Sequence, residues 1–339
     1  MKLFVRGVLL IVAGLLCVGA RTVRQVEDKV MGSIRAKITA VSDQMPAEEI
    51  ESALSAALAE IHRIDRLMSN YKKDSDVSRL NESDADVWVQ VNPMTFTVLQ
   101  ESQRISELTG GAFDATALPL SGLWGFWPKR EVHLPSEEEI RHTLSHVGYH
   151  NLSLDPGNHT LKKSDPETKV DLGGIAKGYA VDRAIEVLRQ KGLRDALVEI
   201  GGEVRTMGKN KNGDPWRIGV LHPNQWGYLT VLELSDKAAA TSGDYMNFFV
   251  VEGKRYCHLI DPRAGKPISN DLCSATVVAR ECTEADALAT AILIVGAEEG
   301  IKLIESLPDR EVIIVRRVSE KNEIDVSVSS GLKGLSIRP

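Results

Sequence analysis

Residues 170–191 read VDLGGIAKGYAVDRAIEVLRQK. An apolar start, the Gly173–Gly174 pair and a following run with helical spacing predict a short strand that turns through the glycines into a helix ending near Gly192. Such a turn leaves backbone N–H groups and the positive end of the helix facing solvent, a place for phosphate. Lys177, one turn in, adds a cation, and Asp171 adds a hydrogen-bonding carboxylate. The G-x-x-x-x-G-K-[ST] spacing of a Walker loop is absent, so a plain glycine-rich turn is an equal reading of this stretch taken alone.

Upstream, residues 46–68 carry apolar side chains at 3–4 spacing and predict an amphipathic helix. A second helix is predicted over 93–108, with Pro93 at its start and Thr109-Gly110-Gly111 as its stop. A third runs over 136–146 with glutamates in its first turn. Downstream the period shortens to two, predicting strands at 196–200, 216–221, 228–234, 248–256 and 274–280. Helices at 283–295 and 298–307 follow, then strands at 311–316 and 324–328. Helices early, strands late and no Pro/Ser-rich linker point to one α+β domain over residues 21–339, not a regular βαβ array.

The 339 residues are 43% hydrophobic and 26% charged, ordinary for a globular enzyme with a sizeable core. A net charge of −6 and the lack of a Lys/Arg stripe argue against nucleic acid as a partner. Residues 1–20 differ from the rest: Lys2 and Arg6 precede the apolar stretch Gly7 to Val18, with small residues at Gly19 and Ala20. This is the layout of a secretory signal, with an uncleaved membrane anchor as the alternative. Export is the expectation. Cys17 raises lipidation, against which Leu16 stands where a small residue is wanted. Cys257, Cys273 and Cys282 would remain, an odd number without CxxC spacing, best read as small buried side chains.

Other segments carry chemistry only in combination. In Thr283-Glu284-Ala285-Asp286, Thr283 and Asp286 fit a capping box, yet Asp286 and Thr290 share a helix face and together offer the hard oxygen ligands that magnesium prefers. In Gly110-Gly111-Ala112-Phe113-Asp114, backbone can approach a ligand closely beside an aromatic ring and a carboxylate; a helix stop followed by core aromatics is the alternative. Tyr71, just after the first helix, could stack on a heterocycle. His258, in the strand-to-turn segment Arg255 to Gly265, is a candidate general base. Ala240 to Tyr245 reads as a small polar turn between strands. No G-x-S-x-G elbow supports a serine hydrolase.

The order of these blocks is more telling than any one of them. Met31-Gly32-Ser33, Met68-Ser69-Asn70-Tyr71, Gly110 to Asp114, Asp171 to Tyr179, Ile200-Gly201-Gly202, Thr241-Ser242-Gly243, His258 to Pro262 and Ala285 to Ala291 run in the order of the ApbE family of FAD:protein FMN transferases, which the chain closely resembles over about residues 30–300. The resemblance implies a single ApbE-like, T-fold-related domain of mixed and antiparallel sheets flanked by helices. It implies FAD contacts at Met31, Tyr71, Ala112, Phe113, Asp114, Asp171, Lys177, His258 and Ile260. It also implies Mg²⁺ held by the Gly174 carbonyl and the Asp286 and Thr290 side chains, with His258 and Asp286 as the catalytic pair. Glu199 and Glu203 depart from the Asn and Asp that relatives often carry there. The implied reaction moves FMN from FAD to a Thr or Ser hydroxyl of an acceptor protein and releases AMP. A subunit of a membrane redox complex, presented in the periplasm or on the outer face of the cytoplasmic membrane, is the implied acceptor. An FAD pyrophosphatase and a non-catalytic FAD-binding protein are the competing readings.

Overall fold

The computed structural model describes residues 21–128, 134–223, 227–245, 247–318 and 323–338. Residues 1–20, on which the expectation of export and the question of Cys17 rest, therefore lie outside the described residues. An eight-stranded sheet organises the rest: β1 (Thr22–Val30), β2 (Ile34–Ser42), β3 (Asp195–Ile200), β4 (Glu203–Met207), β5 (Ala238–Gly243), β6 (Leu272–Ala279), β7 (Glu311–Arg317) and β8 (Ile324–Val328). The strands lie side by side in chain order, and every neighbouring pair is antiparallel. Apart from residues 329–338, which follow the last strand, every other described element is inserted between strands that pair.

Three helices cover one face: α1 (Ala47–Met68), α2 (Ala176–Gln190) and α3 (Cys282–Val295). α1 turns Ile50, Leu54, Ile61 and Ile64 inward at 3–4 spacing, all 2% exposed or less. Each contributes roughly 1.5–3 kcal/mol of transfer free energy. The other face is covered by a hairpin of strands Trp216–Leu221 and Tyr228–Leu234, whose Val220, Leu229 and Leu232 pack on Ala239, Val278 and Ile313. β5 alternates accordingly, Ala238 and Ala240 toward the helices and Ala239 toward the hairpin. β6, covered on both sides, is buried along its whole length.

The α+β class and its antiparallel sheets stand, but four expectations give way. The chain opens with the β1–β2 hairpin, not with helices. The stretch before Gly173 is an irregular loop with one parallel bridge, Ala117 to Lys169, and α2 begins only at Ala176. The expected strand at 248–256 is a hairpin, Phe248–Val251 and Lys254–Cys257, because Glu252 and Gly253 turn it with positive φ angles of 51° and 77°. Residues 240–243, expected as part of a turn, are the last four residues of β5. Cys257, Cys273 and Cys282 are free and buried, as read.

Candidate active site

Between the sheet, the start of α2 and the 244–271 insertion lies a cavity of about 980 Å³. Tyr71, Ala112, Phe113, Asp114, Asp171, Gly174, Lys177, His258, Ile260, Asp286 and Thr290 all line it, although they come from five separate stretches of chain. Met31 is not among the lining residues. It sits half-buried in the β1–β2 turn at φ 47°, packed against the core.

One wall is made where α2 and α3 cross. Gly178 allows the crossing: a Cβ there would stand 2.3 Å from the Cys282 carbonyl and 2.9 Å from the Asp286 Cβ. Asp286 does not cap its own helix. The first turn of α3 is instead capped across the interface by Asp182, which accepts from the Cys282 and Thr283 N–H groups at 2.9 and 2.8 Å and from the Thr283 hydroxyl. The capping-box reading of Thr283 and Asp286 therefore falls, and the Asp286 carboxylate is free for α2. It accepts the Gly178 N–H at 3.0 Å. That N–H would otherwise close the turn onto the Gly174 carbonyl, which is left without a hydrogen-bond partner among the described residues. Thr290 lies beside it, its Oγ1 3.8 Å from where a Gly174 Cβ would be and 3.0 Å from Ser242 Oγ.

The lysine is placed differently from a simple phosphate ligand. Lys177 Nζ has four oxygens around it: Gly173 O at 3.1 Å, Glu203 Oε1 at 3.2 Å, and Asp286 Oδ1 and Oδ2 at 3.2 and 3.3 Å. Against the cost of burial, Asp286 and then Glu203 hold the ammonium well above its ordinary pKa. Burial, opposed by Lys177, pushes the Glu203 carboxyl up to about 7.

Asp171 and Tyr71 belong to a second wall. Asp171 is open to the cavity, and its carboxylate accepts from Asn70 Nδ2 at 2.9 Å and the Gly173 N–H at 3.1 Å. Protein packed around it raises its pKa. Asn70 is held in turn by Asn81, whose side-chain amide donates to Asn70 Oδ1 and to Val170 O and accepts the Val170 N–H at 2.6 Å. The Asn81 carbonyl receives two ammonium groups, Lys163 and Lys169, at 2.9 and 2.6 Å. Tyr71 is 79% exposed and meets Trp127 edge-on at 5.8 Å, leaving its ring open to a stacking partner. Asp114 is spent on structure: it binds the Thr116 N–H and hydroxyl and the Tyr149 N–H, and burial raises its pKa.

His258 completes the cavity. Its Nδ1 lies 3.1 Å from the Asn247 carbonyl, which can only accept, so Nδ1 carries the proton and Nε2 is the basic nitrogen. Burial lowers its pKa, and the Lys177 charge lowers it further. Reading single motifs passed over Asn81, Asp182 and Asn247, because they act through backbone groups distant in sequence and no local pattern marks them.

The donors fit a hard cation. A carboxylate, a hydroxyl and an orphan carbonyl from Asp286, Thr290 and Gly174 are the oxygen ligands Mg²⁺ takes, with room left for a ligand's phosphates. Among the described residues there is no cluster of three or more His, Cys, Asp or Glu side chains that would point to another metal.

A cavity with buried ionised groups and a histidine of fixed tautomer defines an enzyme rather than a scaffold. The ApbE family model matches residues 31–314. An FAD:protein FMN transferase of Vibrio cholerae is 41% identical over 249 residues, 73% of this chain and 74% of that one. Another, of Escherichia coli K12, is 33% identical over 310 residues, 90% and 86% of the two chains. The solved structure of flavin transferase ApbE from V. cholerae superposes with a TM-score of 0.82 at 34% identity, covering 93% of this chain and 100% of that one. The flavinyl transferase ApbE of Pseudomonas stutzeri, in its apo form, superposes with a TM-score of 0.83 at 32% identity, covering 93% and 97%. The chain belongs to the ApbE family.

Proposed function

We propose that the protein transfers FMN from FAD to a Thr or Ser hydroxyl of an acceptor protein and releases AMP, in a Mg²⁺-dependent reaction. The observation that carries this reading is the α2–α3 crossing, where Asp286 takes the Gly178 N–H and leaves the Gly174 carbonyl bare beside Thr290. The bond caps the first turn of α2 from across the interface, and the carbonyl it leaves bare suits a cation that meets a diphosphate. Mg²⁺ on Asp286, Thr290 and the Gly174 carbonyl would neutralise charge on the FAD diphosphate.

The chain's own residues do the rest. Tyr71 stacks on the isoalloxazine, and Asp171, with Phe113 and Ile260 around it, orients the ligand. Lys177 contributes positive charge near the phosphates. Nε2 of His258 takes the proton of the acceptor hydroxyl; its oxygen bonds to the phosphorus of the FMN half, the bond to the AMP oxygen breaks, and AMP leaves. Since neutral His258 is the active form and its pKa is lowered, the acid-side midpoint of kcat/KM should lie below the 6.5 of an ordinary histidine.

Residues 1–20 fit export or anchoring, which would present the site outside the cytoplasmic membrane to a membrane redox subunit. Among the described residues no helix is long and apolar enough to cross a membrane. The test is intact mass of a Thr-bearing acceptor fragment after incubation with protein, FAD and Mg²⁺. A gain of FMN less water, matched by AMP, supports transfer. FMN and AMP without acceptor gain would make the protein a pyrophosphatase, and FAD bound unchanged would make it a binding protein.

A further inference from the structure

Glu203 opens β4 and is 2% exposed, yet its Oε2 has no hydrogen-bond partner among the described residues. A buried carboxylate oxygen without a partner is costly, so its retention beside a reactive centre calls for a role. Its other oxygen meets the Lys177 ammonium, which Asp286 also claims. One ammonium thus serves two carboxylates, and its three N–H groups face four oxygens within 3.3 Å. The cluster offers one more acceptor oxygen than the ammonium has protons.

The excess is informative once a cation takes the Asp286 carboxylate. The ammonium then loses two of its four acceptors and keeps the Gly173 carbonyl and Glu203 Oε1. Without Glu203 it would be left with a single backbone carbonyl, and before loading it would be committed to Asp286 and compete with the incoming cation.

We infer that Glu203 is a positioning residue for Lys177: it shares the ammonium with Asp286 in the empty site, and retains it when a cation takes Asp286, leaving an N–H for a ligand phosphate. The inference rests on the cation site proposed above, but it concerns how this chain keeps that site from being blocked by its own lysine. Glu203 touches neither FAD nor the acceptor in this account and acts wholly through Lys177.

The test is Mn²⁺ binding to the full mature protein, read by loss of the free-ion electron paramagnetic signal and so independent of turnover. The wild type should bind, and Glu203→Gln, nearly isosteric, should bind about tenfold more weakly. In a Lys177→Met background the same Glu203→Gln change should have little effect, because the competitor is gone. Glu203→Asp, which keeps the charge, should bind within about threefold of wild type on the same outer-shell argument. Equal binding by wild type and Glu203→Gln would overturn the inference and leave the cation site standing. An undiminished Glu203→Gln effect in the Lys177→Met background would show that Glu203 acts on the cation directly and overturn the positioning role. Failure of the wild type to bind Mn²⁺ at all would sink the cation reading itself.

Discussion

The two walls of the cavity are held by different physics. The α2–α3 wall is buried and ionic: Asp286, Glu203 and Lys177 sit at 2–20% side-chain exposure, braced by charge-assisted bonds across two helices that touch backbone to side chain at Gly178. The wall carrying Tyr71 and Asp171 is built of neutral amides, Asn70 and Asn81, and ends in an exposed ring. Groups that must stabilise developing charge gain from a rigid, low-dielectric setting. A surface that must admit a large ring gains from being open. The difference suggests that damage to the first wall appears in chemistry and damage to the second in ligand binding.

The largest effect should come from the ionic wall. Thr290→Val keeps shape but removes the hydroxyl beside the bare Gly174 carbonyl, and should lower transfer kcat/KM about a hundredfold while raising the Mg²⁺ concentration needed; a Mg²⁺ titration of initial rates reads both. Asn81→Ala probes the other wall. It removes the clamp on Val170 and Asn70 and should raise KM for FAD about tenfold, with kcat changed less than about twofold. If Asn81→Ala lowered kcat instead, the division of labour between the walls would be wrong.

Gly178→Ala tests how tightly the ionic wall is closed. The added methyl meets the Cys282 carbonyl, and parting the helices should cost about 1–3 kcal/mol, a Tm lower by roughly 1–5 °C in a melting scan. The smallest effect concerns Lys163 behind the amide wall, 1% exposed and pushed down to about 8 by burial and by its neighbour Lys169. Between pH 8 and its ordinary 10.5 the unfolded chain holds more protons here than the folded one, so stability from this group rises with pH. Measured against Lys163→Met, the wild-type Tm should gain across that window and show no such trend below it.

The walls also differed in legibility. Asp286 and Thr290 announce themselves by a spacing of four on an otherwise apolar helix, and the glycine pair announces the turn that faces them. The amide wall offered only Tyr71 and Asp171; Asn81 acts by matching the backbone of Val170, 89 positions away, which no local pattern encodes. In the fold, α1 followed its periodicity, and α3, apolar and buried nearly all round, its composition and length. β1 did not, because it is an edge strand whose valines at 23, 26 and 30 have helical spacing and of which Val30 alone is buried. β5, with its Ala-Ala-Ala-Thr-Ser-Gly sequence, has little intrinsic preference for a strand and becomes one because β4 and β6 pair with it on either side.

The central claim, that Asp286 anchors a cation on which diphosphate cleavage depends, is tested most directly by AMP release from FAD in a single turnover. Wild type and Asp286→Asn would be compared with acceptor present, each with Mg²⁺ and with a chelator. Release by the wild type should require Mg²⁺, and the variant should release AMP at least about a hundredfold more slowly while still binding FAD. Release by Asp286→Asn at the wild-type rate, or release by the wild type undiminished by the chelator, would contradict it.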